Sequence, residues 1–240
     1  MTLLRIQNIS YSYNDNPVLK DINITVNKGE TVAIIGTSGV GKSTLFNLIA
    51  GIISIQTGTI SINDSLDTKG KVSYMLQKDL LLEHKTVMNN IILPLIIRGI
   101  KKEEAKTIAE QKLQEFGLID YKDKYPTELS GGMRQRVSLI RTSMFNQELF
   151  LLDEAFSALD ALTKMQLHKW YLSMSKKLNL TTLLITHDID EAITLSDRIY
   201  LLKNKPGEIV AEIKIDVNKE QDFDIQKVKY KKEILQKLEL

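Results

Sequence analysis

The chain has 240 residues, 43% hydrophobic and 26% charged, which suits one large or two small globular domains and excludes a disordered, collagen-like or rod-like protein. The 32 Lys and Arg against 30 Asp and Glu leave a net charge of +2, which gives no basis for nucleic-acid binding. Cysteine is absent and His84, His168 and His187 stand far apart, so disulfides, thiolate metal sites and His-His metal spacing are excluded.

The opening MTLLRIQNIS lacks the charged and apolar regions of a secretory leader, so none is expected. Leu3–Ile6 and Ile22–Val26 alternate as strands do, around the turn-forming Asn14-Asp15-Asn16-Pro17. Thr31–Ile35 is a continuous apolar run, the pattern of a strand buried on both faces. It leads through glycines into a helix whose apolar positions are Leu45, Leu48, Ile49 and Ile52. The most lipid-like run, Ile91–Ile97, is interrupted by Pro94 and far shorter than the ~20 residues of a spanning helix. No membrane span is expected.

From Val87 to Phe145 the pattern is helical. Ala105, Ile108, Ala109, Leu113 and Phe116 form one face, with Gly117 placed as a C-terminal cap. Beyond it, an αβ rhythm returns. Leu149–Leu152 is a buried strand, and Leu162, Met165 and Leu172 mark a helix. Thr182–Ile185 is a strand, Asp188–Ser196 a capped helix, and Ile199–Leu202 another strand. Alternating strands and helices predict a parallel sheet covered on both sides. The expected division is a nucleotide-binding core over 1–86 and 146–215, a helical insertion over 87–145, and a lysine-rich amphipathic helix over 216–240. That last helix should bury Ile225, Val228, Leu235 and Leu238.

Gly36-Thr37-Ser38-Gly39-Val40-Gly41-Lys42-Ser43 fits G-x-x-x-x-G-K-[ST] between a buried strand and a helix. Glycines let successive amides turn around a phosphate, and the helix start adds its positive end. Lys42 can reach the β- and γ-phosphates, and Ser43 can offer a hydroxyl to Mg²⁺. A second strand ends in Asp153-Glu154, at the carboxyl edge where parallel sheets bind ligands. Asp153 suits a Mg²⁺ ligand; Glu154 suits the group that orients or deprotonates an attacking water.

Leu129-Ser130-Gly131-Gly132-Met133-Arg134-Gln135-Arg136 resembles the signature of the ATP-binding-cassette (ABC) ATPases. Read physically, a serine and two glycines opening a helix make a second anion site. The resemblance runs over about residues 3–213 and implies a P-loop NTPase (RecA-like) core with an N-terminal antiparallel β subdomain and an inserted α-helical subdomain. It implies adenine stacking on Tyr13, with Tyr11 as the rival, and ATP held by Gly36 through Ser43 and Thr44. It implies Mg²⁺ held by Ser43, Gln77 and Asp153, with Lys42, Glu154 and His187 as the catalytic set. His187 takes its role from its position after the strand Leu183–Thr186. Ser130, Gly131, Gly132, Gln135 and Asp160 are implied to meet ATP on a second copy, so the chain should form a homodimer when ATP binds.

Finer features resemble the importer ATPases for nitrate, sulfonates, taurine and thiamine precursors: GGMRQR, DEAFSALDALT and THDIDEA. The resemblance thereby implies transmembrane permease subunits, a solute-binding protein, and a peripheral position on the cytoplasmic membrane face. An exporter, or a lipid or lipoprotein extraction system, would share the nucleotide motifs; a nucleic-acid-acting ATPase is disfavoured by the balanced charge. The surface between Gln77 and Met88, with its apolar run Leu80-Leu81-Leu82, is expected to dock the membrane subunit; the alternative is that these leucines are core.

Overall fold

A computed structural model describes residues 1–157, 159–216 and 223–239. In chain order the first half holds β1 (Thr2–Tyr13), β2 (Asn16–Asn27), β3 (Thr31–Ile35), α1 (Lys42–Ile49), β4 (Thr57–Ile62), β5 (Val72–Met75), α2 (Val87–Ile91), α3 (Leu93–Ile97) and α4 (Lys102–Glu115). The second half holds α5 (Gly131–Ser143), β6 (Leu149–Asp153), α6 (Ala161–Leu178), β7 (Thr181–Thr186), α7 (Ile189–Leu195), β8 (Arg198–Lys203), β9 (Glu208–Lys214) and α8 (Phe223–Leu238). The chain divides into two compact units. The first comprises Met1–Val72, Glu148–Glu154 and Asn179–Leu240; the second comprises Ser73–Gln147 and Ala155–Leu178.

In the first unit, β1 and β2 form a hairpin in which Tyr13 pairs with Asn16. Asn14 and Asp15 both take positive φ, as a two-residue hairpin turn of matching twist requires. β1 also pairs antiparallel with β4, giving the sheet order β2-β1-β4. The other sheet runs β6-β7-β3-β8 in parallel and closes on antiparallel β9. Every residue of β3, β6 and β7 is buried, which is why these strands read as unbroken apolar runs. Each fully buried Leu or Ile contributes ~1.5–3 kcal/mol. Arg198 bonds Glu30, Glu212 and the Thr25 carbonyl, so the guanidinium that β8 brings into the unit is compensated from several sides.

The second unit is mostly helical. α4 buries Ala105, Ala109 and Leu113 and stops at Gly117 (φ 70°). There the Leu118 amide donates to the Leu113 carbonyl and the Gly117 amide to that of Gln114, the paired bonds of a Schellman cap. α5 buries Val137, Leu139 and Ile140.

Both helices expected from the sequence are present, as α6 and α8, with buried faces that differ from the marked positions. On α6 the buried positions are Leu167, Tyr171 and Met174, whereas Leu162 and Met165 are exposed. The true stripe carries a tyrosine, which a scan for aliphatic spacing passes over. On α8, Ile234 and Leu238 are buried while Ile225 and Val228 are exposed. Lys227 and Lys231 pair with Asp190 of α7 and fix which face of α8 turns inward. Positions 217–222 and 240 of the expected C-terminal segment lie outside the described residues. Among the described residues no helix is long and apolar enough to cross a membrane.

Candidate functional site

The phosphate loop connects β3 to α1. Gly36 and Val40 are buried, while Thr37, Ser38 and Gly39 are exposed at the tip. A Cβ on Gly36 would stand 2.5 Å from the Leu202 carbonyl oxygen and 2.9 Å from Val40 Cγ1. Gly41 has φ 107°, and a Cβ there would meet Leu19 Cδ2 at 2.7 Å. Both positions therefore need glycine, for close approach at the first and for a left-handed turn at the second. Gly41 caps α1 without a side-chain hydrogen bond, so the first-turn amides of α1 are left for an external acceptor. Lys42 is buried, and its Nζ donates to the Gly36 carbonyl at 2.7 Å and the Thr37 carbonyl at 3.0 Å. Burial pushes its ammonium below the ordinary lysine value, while Glu154 and Asp153 act to raise it. A cation so placed is held at the loop and gains by meeting an anion.

Asp153 ends β6 and is buried; Glu154 follows it, its amide donating to the Ile185 carbonyl of the neighbouring β7 at 2.9 Å. Glu154 has φ 47°, a left-handed conformation that costs a non-glycine residue ~1–2 kcal/mol. The strain turns its carboxylate away from the strand path, where Oε2 lies 3.3 Å from His187 Nδ1. His187 is exposed and precedes Asp188, which caps α7 by accepting from the Glu191 amide. Phosphate loop, acidic pair and histidine thus all belong to the first unit. Val18 and Leu19 of β2 crowd Gly41, while Tyr13 lies at the hairpin end of β1. Tyr13 is exposed, with its ring edge-on to Tyr11 at 4.9 Å.

The signature turn belongs to the second unit. Ser130 caps α5 by accepting from the Met133 amide at 3.3 Å, and Ser130 and Gly131 are exposed. A Cβ on Gly132 would lie 2.6 Å from Thr163 Cγ2, so this glycine serves the close approach of α6 to α5. Asp160 accepts from the Thr163 amide at 3.1 Å and caps α6. Its hydrogen bonds from Thr163 hold the carboxyl below the ordinary carboxylate value. Gln135, five residues after Ser130 in the signature, is 5% exposed in the single chain, with an Oε1 that has no hydrogen-bond partner. It lines a groove of 520 Å³ together with the half-buried Asp79 and Arg134 and the exposed Gln77 and Leu80. The expected leucine surface also divides: Leu80 is exposed at 52%, whereas Leu81 is buried at 6%.

Sequence reasoning missed two features of this region. Leu80 has φ 47°, which no composition or spacing signals. Asn90 is fully buried, its amide donating to the carbonyls of Leu82, Lys85 and Thr86 while its oxygen accepts from the Leu82 amide. An asparagine inside a helical pattern gives no sign of that role.

A family profile described as ABC transporter matches residues 19–157. The chain belongs to the ABC transporter family. It is 44% identical over 214 residues to a formylaminopyrimidine import ATP-binding protein, ThiZ, of Halalkalibacterium halodurans, covering 89% of this chain and 84% of that one. It is 37% identical over 216 residues to the taurine import ATP-binding protein TauB of Escherichia coli, covering 89% and 85%. Among solved structures it resembles CbiO1 of Clostridium perfringens, part of the transporter complex cbiONQ, with TM-score 0.83, 26% identity, and coverage of 95% and 94%. It also resembles the ATP-binding cassette MJ0796 in a dimeric post-hydrolysis state bound to ADP and Pi, with TM-score 0.74, 27% identity, and coverage of 90% and 100%. This ABC chain is an ATP-hydrolysing, nucleotide-binding subunit that energises transport.

Among the described residues no group of three or more His, Cys, Asp or Glu side chains is placed to hold a metal ion. The exposed Ser43 hydroxyl and the buried Asp153 carboxylate nevertheless fit Mg²⁺, which is commonly held by one or two carboxylates plus substrate phosphates rather than by an all-protein cage.

Proposed function

We propose that the chain powers the import of a small solute such as a sulfonate, nitrate or a thiamine precursor, as a peripheral subunit on the cytoplasmic face of a permease pair. The observation that carries this reading is the 44% identity to a formylaminopyrimidine import subunit, alongside 37% to a taurine import subunit. Two copies would pair with ATP between the phosphate loop of one and the signature turn of the other. The fold likeness to a dimeric cassette bound to ADP and Pi supports that arrangement.

Within each site, the first-turn amides of α1 and Lys42 hold the β- and γ-phosphates, and Tyr13 stacks on adenine. Ser43, Asp153 and Gln77 would hold Mg²⁺, which would neutralise phosphate charge. Glu154 takes the proton of the attacking water as its oxygen bonds to the γ-phosphorus, and the bond to the ADP oxygen breaks. His187, beside Glu154, reaches toward the same γ-phosphate. Ser130, Gly131 and Gly132 supply the second anion-binding helix start in trans, and Leu80 offers the apolar contact to a permease. Gln135 and Asp160 join the same nucleotide contact in trans.

The test is ATPase rate in proteoliposomes holding the chain with its permease and a solute-binding protein. Stimulation by a solute-loaded binding protein is the expected result. Stimulation by lipid or lipoprotein substrate without any binding protein would move the assignment to extraction or export.

A further inference from the structure

We propose that Asp79 and Arg134 are positioning residues that bind the segment after Gln77 to the signature helix, so that whatever displaces this segment also displaces Ser130. The inference rests on the reading of Ser130 as the contact to nucleotide on a second copy.

Three side chains of α5, at positions 134, 138 and 141, lie on one face at helical spacing, and all three grip residues 79–80. Arg134 makes a two-point bond to Asp79, Nε to Oδ2 at 2.9 Å and Nη2 to Oδ1 at 3.2 Å, and its Nη2 also reaches Glu83 at 2.6 Å. The Ser138 hydroxyl donates to the Asp79 carbonyl at 3.0 Å. Arg141 donates to the carbonyls of Asp79 and Leu80 at 2.6 and 2.7 Å. Asp79 Oδ1 accepts in addition from the Leu81 amide at 2.9 Å, closing a turn on itself.

These bonds surround Leu80, a bulky residue held at φ 47°. A left-handed leucine persists only where its neighbours over-determine it, and such residues cluster at clamps and switches. Arg134 also stands one helical turn beyond Ser130, its amide donating to the Ser130 carbonyl at 2.9 Å. The chain of contacts is thus continuous from the exposed Leu80 through Asp79 and Arg134 to the serine that caps the helix. A planar guanidinium bonded at two points transmits orientation as well as distance, which a lysine in the same place would not.

The experiment uses the full chain carrying Glu154→Gln, titrated with ATP and Mg²⁺ and followed by light scattering. Adding Asp79→Asn or Arg134→Lys should raise the ATP concentration for half-dimerisation by about tenfold, a coupling of ordinary size for bonded pairs. Affinity for ADP, measured by isothermal titration, should not move, because it reports the phosphate loop and Tyr13 of the first unit. Reversing the pair as Asp79→Arg with Arg134→Asp should recover part of the loss. Thermal melts accompany each variant, and where Asp79→Asn fails to fold, Arg134→Lys carries the comparison. A variant that lowers the melting temperature yet dimerises at the parent's ATP concentration would overturn the inference and leave a merely structural bond. Failure of the Glu154→Gln parent itself to dimerise would instead overturn the reading of Ser130, and the inference with it.

Discussion

The starts of α1 and α5 are built from the same materials and finished differently. Each is a helix entered through glycine and serine with its first amides at the surface. At α1 the loop carries its own buried cation: Lys42 is tied to the Gly36 and Thr37 carbonyls and has no side-chain competitor at the cap. At α5 the cap is already filled by Ser130, and Arg134, one turn on, faces Asp79 and Glu83 instead. One helix start has a cation tied into its own loop, whereas the other offers amides and a hydroxyl beside a groove that Arg136 also lines. The difference explains why one chain would need a second copy.

The largest test of that division is Glu154→Gln. The amide keeps the shape but cannot take a proton, and general-base groups contribute ~10²–10⁴-fold. Turnover should fall at least about a hundredfold with ATP affinity nearly unchanged, and MgATP-bound dimer should accumulate in gel filtration. Near-normal hydrolysis would move the base elsewhere, with His187 first in line.

Next in size is Leu81. It is buried one residue after the exposed Leu80, so Leu81→Ala should cost ~2–5 kcal/mol in a urea melt. Leu80→Glu should leave the melt almost unmoved while uncoupling transport from hydrolysis. Equal destabilisation by both would mean that the division between the two leucines is wrong.

That division marks where the sequence stopped being readable. β3, β6, β7 and β8 are legible because burial on both faces leaves an unmistakable apolar run. β4 and β9 are not, since Thr57–Thr59 are all exposed and Glu208–Ala211 mix exposed and half-buried positions at a sheet edge. The phosphate loop and the Asp153-Glu154 pair are contiguous in sequence, so local chemistry announces them. Leu80 and Leu81 differ because a left-handed residue reverses the path of the chain between them, and the pull that holds it comes from Arg141, 61 residues away. Gln135 shows a similar limit: the motif names the residue, but only helical rotation shows that it lies on the buried side of α5 in the single chain.

Lys42→Ala addresses the α1 side of the comparison directly. Hydrogen bonds to charged groups contribute ~1.5–3 kcal/mol, so ATP affinity should fall roughly 10–100-fold in isothermal titration. An unchanged affinity would show that the first-turn amides hold the phosphates unaided, and the contrast with α5 would lose its basis.

The smallest effect is the pH dependence of the Asp79 bond. Burial alone would raise this carboxyl. The Arg134 hydrogen bonds, the Leu81 amide and the charges of Arg134 and Arg141 outweigh burial and hold it below the ordinary aspartate value of 3.8. A carboxyl with a depressed folded-state value contributes stability that is fully present above the unfolded value. That contribution fades as pH falls from about 3.8 through the lower folded value. Wild type should therefore exceed Asp79→Asn by about 1 kcal/mol at pH 6, a figure discounted from charged hydrogen bonding for solvent screening. The gap should shrink as the melts are repeated toward pH 3. A gap that stays constant across that range would mean that the asparagine substitution costs packing rather than charge, and Arg134 would then be held to its place chiefly by Glu83.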